Sequence, residues 1–242
     1  VSENAITSFI EQYGASAVNE TEADFCCHID GAGSFRVHGY LQNGFPAVAV
    51  RIIKSAVPAL SDLNAPAVLE KLAMQRSGLI LVTGPAGSGK STTLAAMVDF
   101  INRNKSAHIV TLEDPPEYRF TEDKSIISQR QVGSDTASFA LGLRAALRQD
   151  PDVIMIGELR DAQTAAGAVS AAETGHLVLA TLHTRSAVLA VSRMLDFFAP
   201  EKQQQMRAQL AENLQAVIAQ QLVPGCHGGR KAAFEVLTFT QA

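Results

Sequence analysis

Residues 78–93 read GLILVTGPAGSGKSTT: an apolar run that breaks into glycines and ends in a lysine and three hydroxyls. The opening predicts a buried strand and the continuation STTLAAMVDFIN predicts a helix, so the glycines fall at a strand-to-helix turn. Gly84-Pro85-Ala86-Gly87-Ser88-Gly89-Lys90-Ser91 fits the pattern G-x-x-x-x-G-K-[ST]. Glycines there let successive backbone N–H groups turn inward without a Cβ collision. With the positive end of the following helix, those donors form a nest for phosphate oxygens. In this reading Gly84 through Thr92 hold a nucleotide, Lys90 reaches its terminal phosphates and the Ser91 hydroxyl ligates Mg2+.

Outward from the loop, three more apolar runs, AHIVTLE, DVIMIGE and HLVLATL, alternate with helix-length segments. Runs that are apolar on both faces and spaced in this way predict a mostly parallel sheet covered by helices. A helix over 200–222 closes the series, with Met206, Leu210, Leu214, Ile218 and Leu222 as one stripe. Before the loop, ADFCCHID, GSFRVHGYLQ and AVAVRIIK predict an antiparallel sheet, preceded by a short helix through Ile6, Phe9 and Ile10. The two-proline stretch SAVPALSDLNAP is the linker candidate, followed by a helix capped by Asn64 and ended by Gly78.

Ligands of parallel sheets sit beyond the carboxyl ends of the strands. Two such ends carry acids: Glu113 with Asp114, and Glu158. One should hold the metal's water shell and the other polarise the attacking water. His183 ends a further run, where an imidazole can donate a hydrogen bond to a γ-phosphate and sense its presence. Asp150 and Asp152 around Pro151 read instead as a solvated turn.

Composition narrows the partners. The chain has 242 residues, 47% of them hydrophobic, enough for one large domain or one domain and a smaller companion. A formal charge of −4 gives no footprint for a phosphate backbone, so no nucleic-acid partner is expected. The three cysteines, Cys26, Cys27 and Cys226, form no CxxC pair and read as reduced thiols without a metal.

GPAGSGKSTT, TLEDPPEY, ALRQDPDVIMIGELRD and AAETGHLVLATLHT come in the order of the Walker A, Asp, Walker B and His boxes of the secretion ATPase superfamily. The chain resembles in particular its PilT-like type IV pilus retraction motors, from about Ala23 to about Leu237. The resemblance implies a partial N-terminal PAS-like α+β domain over residues 1–57, a linker over 58–66 and a RecA-like α/β ATPase domain over 67–242. It also implies that the family's last helices and about half of the N-terminal domain lie outside the chain. It implies a cytoplasmic homo-hexamer, peripheral at the inner face of the inner membrane. That ring would hydrolyse ATP with Mg2+ and act on a platform protein of the pilus machinery. By the same resemblance Glu158 is first choice to activate water, Glu113 assists Ser91 and Glu158 at the metal, and His183 contacts the γ-phosphate. SFRVHGY and VAVRIIKSAVP nominate Arg36 and Arg51 as arginines offered by the N-terminal sheet, and a guanidinium on a mobile module suits the charge of phosphoryl transfer.

Superfamily members for pilus assembly or secretion usually carry a tetracysteine insertion where this chain reads QLVPGCHGGRKAAFEVL, with one cysteine. That favours retraction over assembly or type II/IV secretion. A GTPase should show N-K-x-D after the loop, and none is present. A small-molecule kinase would need an arginine-rich lid, whereas Arg144 and Arg148 fall in a predicted helix.

Overall fold

The computed structural model describes residues 3–14, 22–54, 56–226 and 228–239. The N-terminal module is α1 (Glu3–Gly14) on a meander of β1 (Glu22–Ile29), β2 (Gly33–Gln42) and β3 (Phe45–Ile53), antiparallel throughout. Alternation along β1 turns Ala23, Phe25 and Cys27 to one face, where they are buried with Val37 of β2 and packed by Phe9 and Ile10 of α1. The predicted helix and three strands are therefore all present.

A short helix α2 (Val68–Ala73) leads into β4 (Gly78–Thr83), α3 (Lys90–Asn104), β5 (His108–Glu113), β6 (Ile126–Gln131), α4 (Phe139–Ala146), β7 (Val153–Ile156) and α5 (Ala162–Glu173). The chain continues through β8 (Leu177–Leu182), α6 (Ala187–Asp196), α7 (Pro200–Asn213), β9 (Leu214–Pro224) and β10 (Arg230–Thr238). Seven strands form one sheet in the order β10-β9-β4-β8-β7-β5-β6, every neighbour parallel except the β9–β10 hairpin. All residues of β4, β7 and β8 are buried, as strands covered on both faces must be. Leu79 and Leu81 of β4 face one core with α4 to α7, while Ile80 and Val82 face a second with α2 and α3. Because the central strands are parallel, Thr83, Glu113, Ile156 and Leu182 end along one edge of the sheet.

Two expectations are corrected. The helix over 200–222 stops at Asn213, and Leu214, Ile218 and Leu222 lie in β9. A spacing of four places residues on one face of a helix and equally on one face of a strand, so that stripe did not discriminate. Asn64 is no cap: it sits in a turn with φ 51°, and α2 begins after Ala67 with no side-chain cap and ends at Ala73. The stretch before α2 is packed, with Leu60 buried in the α2–α3 core. No helix among the described residues is long and apolar enough to cross a membrane.

Beyond β5, residues 121–125 are pinned by buried Asn102 of α3. Its Nδ2 donates to Thr121 O at 2.8 Å, and its Oδ1 accepts from Asp123 N at 3.0 Å and Ser125 N at 3.3 Å. Asn102→Ala leaves those groups without these partners and is expected to cost about 2–3 kcal/mol in urea unfolding. A loss below about 0.5 kcal/mol would mean the segment is held by other contacts.

Candidate functional site

The phosphate-loop motif sits where β4 ends and α3 begins. Gly84 and Gly89 have φ of 151° and 89°, and a Cβ on either would run into Gln220 of β9. Only glycine meets both demands at once. Lys90, the first residue of α3, is 7% exposed. Its Nζ donates to Gly84 O at 2.9 Å and Pro85 O at 3.1 Å, and burial lowers its pKa. The Ser88 hydroxyl is buried with no hydrogen-bond partner among the described residues. A glycine turn with a buried lysine at the start of a 15-residue helix fits an anionic ligand.

The strand-end groups converge beside this loop in a cleft of about 250 Å³, lined by Ala86, Gly87, Lys90, Ser91, Glu113, Asp114, Glu117, Glu158, Arg160, Thr181 and His183 among others. Glu158 lies two residues beyond β7 and His183 directly follows β8. His183 Nε2 is 3.0 Å from Glu158 Oε1, and its Nδ1 is 3.3 Å from Lys90 Nζ. An ammonium can only donate, so Nδ1 accepts and the ring proton belongs on Nε2, aimed at Glu158. The second oxygen of Glu158 accepts from Arg160 Nε at 2.8 Å, and Arg160 reaches Asp114 at 3.3 Å. A continuous polar chain therefore joins Lys90 to His183, Glu158, Arg160 and Asp114.

Glu113 is held differently. It is 8% exposed at the end of β5, and its Oε1 accepts from Thr111 Oγ1 and Gln129 Nε2, each at 2.8 Å. Burial pushes its carboxyl pKa up, and those hydrogen bonds counter the rise only in part. Ser91 Oγ donates to Glu117 Oε1 at 3.2 Å. No cluster of three or more His, Cys, Asp or Glu side chains among the described residues forms a ready-made cage for a cation. The donor set of Ser91 with one or two nearby carboxylates suits Mg2+, which takes its remaining ligands from phosphate and water.

Not every predicted residue faces this cleft. Thr92 turns its hydroxyl to Tyr118 OH at 3.0 Å and lines a second cleft of about 260 Å³. Arg36 and Arg51, opposite each other on β2 and β3, line that second cleft with Lys54, Asp114, Glu117 and Tyr118. Asp114 and Glu117 border both clefts. The module is tied to this loop through main chain: Lys54 N donates to Glu117 O at 3.2 Å and Arg119 N to Lys54 O at 3.1 Å. Sequence reasoning assigned no role to Glu117, Arg160, Tyr118 or Thr181. Glu117 and Arg160 were within reach, as acid and base within TLEDPPEY and GELRD, although their partners depend on tertiary contacts.

A family model described as Type II/IV secretion system protein matches residues 44–241. Among curated proteins, the chain is 49% identical to the uncharacterized protein YggR of Escherichia coli (strain K12) over 221 residues, 91% of this chain and 68% of that one. It is 45% identical to the type IV pilus retractation ATPase PilT of Pseudomonas aeruginosa over 221 residues, 91% of this chain and 64% of the relative. A crystal structure of the pilus retraction motor PilT with bound ADP superimposes with a TM-score of 0.89 at 47% identity, covering 98% of this chain and 67% of that one. The chain thus spans about two thirds of the length of these relatives.

Burial favours the neutral acid of Glu113, so the folded chain keeps that proton to higher pH than the unfolded chain does. The stability linked to it is present below the unfolded pKa and is lost as pH rises through the folded one. Glu113→Gln does not titrate. Its urea midpoint is expected to gain on the wild type as pH is raised from about 4 toward neutrality, and a difference that stays flat with pH would show that this carboxyl is not desolvated.

Proposed function

The chain belongs to the Type II/IV secretion system protein family, and on that premise we propose that it is an ATP-hydrolysing motor of the pilus-retraction kind. The observation that carries this reading is the bridge from the loop lysine to a strand-end carboxylate, Lys90 to His183 to Glu158, at 3.3 and 3.0 Å. It puts a phosphate-binding cation, an imidazole and an acid at one point of the sheet edge, as phosphoryl transfer to water requires.

Bound ATP with Mg2+ would supply the transferable phosphoryl group and a metal to neutralise its developing charge. Lys90 exchanges its carbonyl partners for phosphate oxygens, and the backbone of Gly84 through Gly89 provides the cradle. Ser91 offers its hydroxyl to the metal, with Glu113 and Glu158 nearby. Glu158 orients and deprotonates the attacking water, held in place by Arg160 and aligned by His183. Once Glu158 has taken a proton, the His183 Nε2–H is free to turn to the γ-phosphate. Arg36 and Arg51 contribute charge when the small module closes from the neighbouring cleft.

In this proposal residues 1–57 are part of a PAS-like domain, 58–66 link it, and 67–242 form the RecA-like ATPase domain. Six copies assemble into a ring on the cytoplasmic face of the inner membrane and pass domain motion to a platform protein of the pilus machinery. Nucleic acid has no part in it. The likeness to PilT over nine tenths of the chain supports retraction over pilus assembly or secretion.

Hydrolysis of ATP and of GTP by the chain and its variants tests the proposal. Lys90→Ala is expected to abolish nucleotide binding. Glu158→Gln should bind ATP normally while turnover falls by at least about 100-fold; turnover that survives this change, or a preference for GTP, refutes the assignment. Arg51→Ala should lower turnover far more than affinity, and unchanged turnover removes Arg51 from the mechanism. DNA should leave the rate unchanged. Particle mass measured with ATP should correspond to six copies, and a monomer under all conditions contradicts the ring.

A further inference from the structure

The carbonyls of the glycine loop need donors of their own. The carbonyls of Gly84 and Pro85 take Lys90 Nζ. That of Ser88 takes Nε2 of Gln220 at 2.8 Å. Oε1 of the same amide accepts from Thr93 Oγ1, in the first turn of α3, at 2.6 Å. Gln220 is 5% exposed and Thr93 is fully buried. A carbonyl can only accept, so the Ser88 contact fixes which end of the amide is nitrogen.

The sheet explains how a residue so far along the chain reaches the loop. β9 lies parallel beside β4 with Ala219 opposite Thr83, so Gln220 stands one position beyond the last pair, where the loop starts. A Cβ on Gly84 would strike the Gln220 carbonyl, and one on Gly89 would lie 2.9 Å from Gln220 Nε2. One side chain and its own backbone therefore meet the loop at its beginning, at its end and at the helix behind it.

From this contact set we infer that Gln220 is a positioning residue for nucleotide binding: its amide ties the Ser88 carbonyl to the Thr93 hydroxyl and holds residues 84–91 in their phosphate-receiving shape. The inference rests on the nucleotide reading of that loop and adds a residue outside its motif, 132 positions after Ser88. Without the tie the loop samples other shapes, and apparent affinity falls by the fraction of time it is competent.

The test is a titration of the whole chain with fluorescently labelled ADP and Mg2+. Gln220→Met keeps the volume and removes both hydrogen bonds, and is expected to weaken binding roughly tenfold. Gln220→Glu gives a signature that space-filling alone cannot. Protonated, the acid donates to Ser88 O and accepts from Thr93 as the amide does; ionised, it has no donor and faces a carbonyl oxygen. Its affinity relative to wild type should fall roughly tenfold between about pH 5.5 and about pH 8.5, while Gln220→Met keeps a constant ratio to wild type. If wild type itself binds no nucleotide, the reading of the loop fails, and the inference with it. If wild type binds and both variants stay within about twofold of it at every pH, the inference alone is overturned. Should Gln220→Met not fold, the Gln220→Glu profile and Thr93→Val, expected to bind about threefold more weakly, decide in its place.

Discussion

A buried ammonium must be surrounded by acceptors, and the arrangement of this molecule's working edge follows from giving Lys90 its partners. Two come from the carbonyls of its own loop and one from the imidazole of His183. The loop can offer those carbonyls only because glycines at 84 and 89 accept backbone conformations and contacts that a side chain would forbid. The imidazole is in reach only because β8 runs parallel beside β4 and ends level with it, Leu182 opposite Thr83. Position in the sheet and chemistry at its edge are thus one constraint. A strand slip of a single residue would leave the amine buried without its third partner.

The same edge shows two acids of the same type in opposite circumstances. Glu158 stands between Arg160 and His183, while Glu113 is sunk among neutral donors that only partly offset its burial. Burial thus favours the proton on Glu113, while both oxygens of Glu158 are engaged by Arg160 and His183. Between the edge and the N-terminal sheet lies the loop 114–119, which borders both clefts and is stitched by backbone to the end of β3.

Much of this was legible in the sequence. Four continuous apolar runs named four strands of the parallel sheet, and the glycine loop named its position among them. The N-terminal meander was legible from alternation. What escaped were β6, β9 and β10. Of these, β6 (IISQRQ) has no fully buried residue and so lacks the apolar run that marks a central strand. In β9 the apolar spacing matched a helix as well as a strand. At the site, residues named by strand ends were brought together: Glu113, Glu158 and His183 line one cleft with Lys90. Thr92, counted with the loop, faces the neighbouring cleft, because successive residues on a helix point about 100° apart. Arg36 and Arg51, nominated by resemblance alone, stand opposite each other on β2 and β3 and line the second cleft. Arg160 and Glu117 acquire meaning only through partners that tertiary folding supplies.

The stitch between β3 and the 114–119 loop is made of main-chain atoms, Lys54 N to Glu117 O and Arg119 N to Lys54 O. Such a joint is indifferent to which side chains hang from it. Drift at positions 54, 117 or 119 can therefore retune charge and reactivity around the loop while the mechanical coupling between the two bodies is inherited intact, short of a proline that removes a donor.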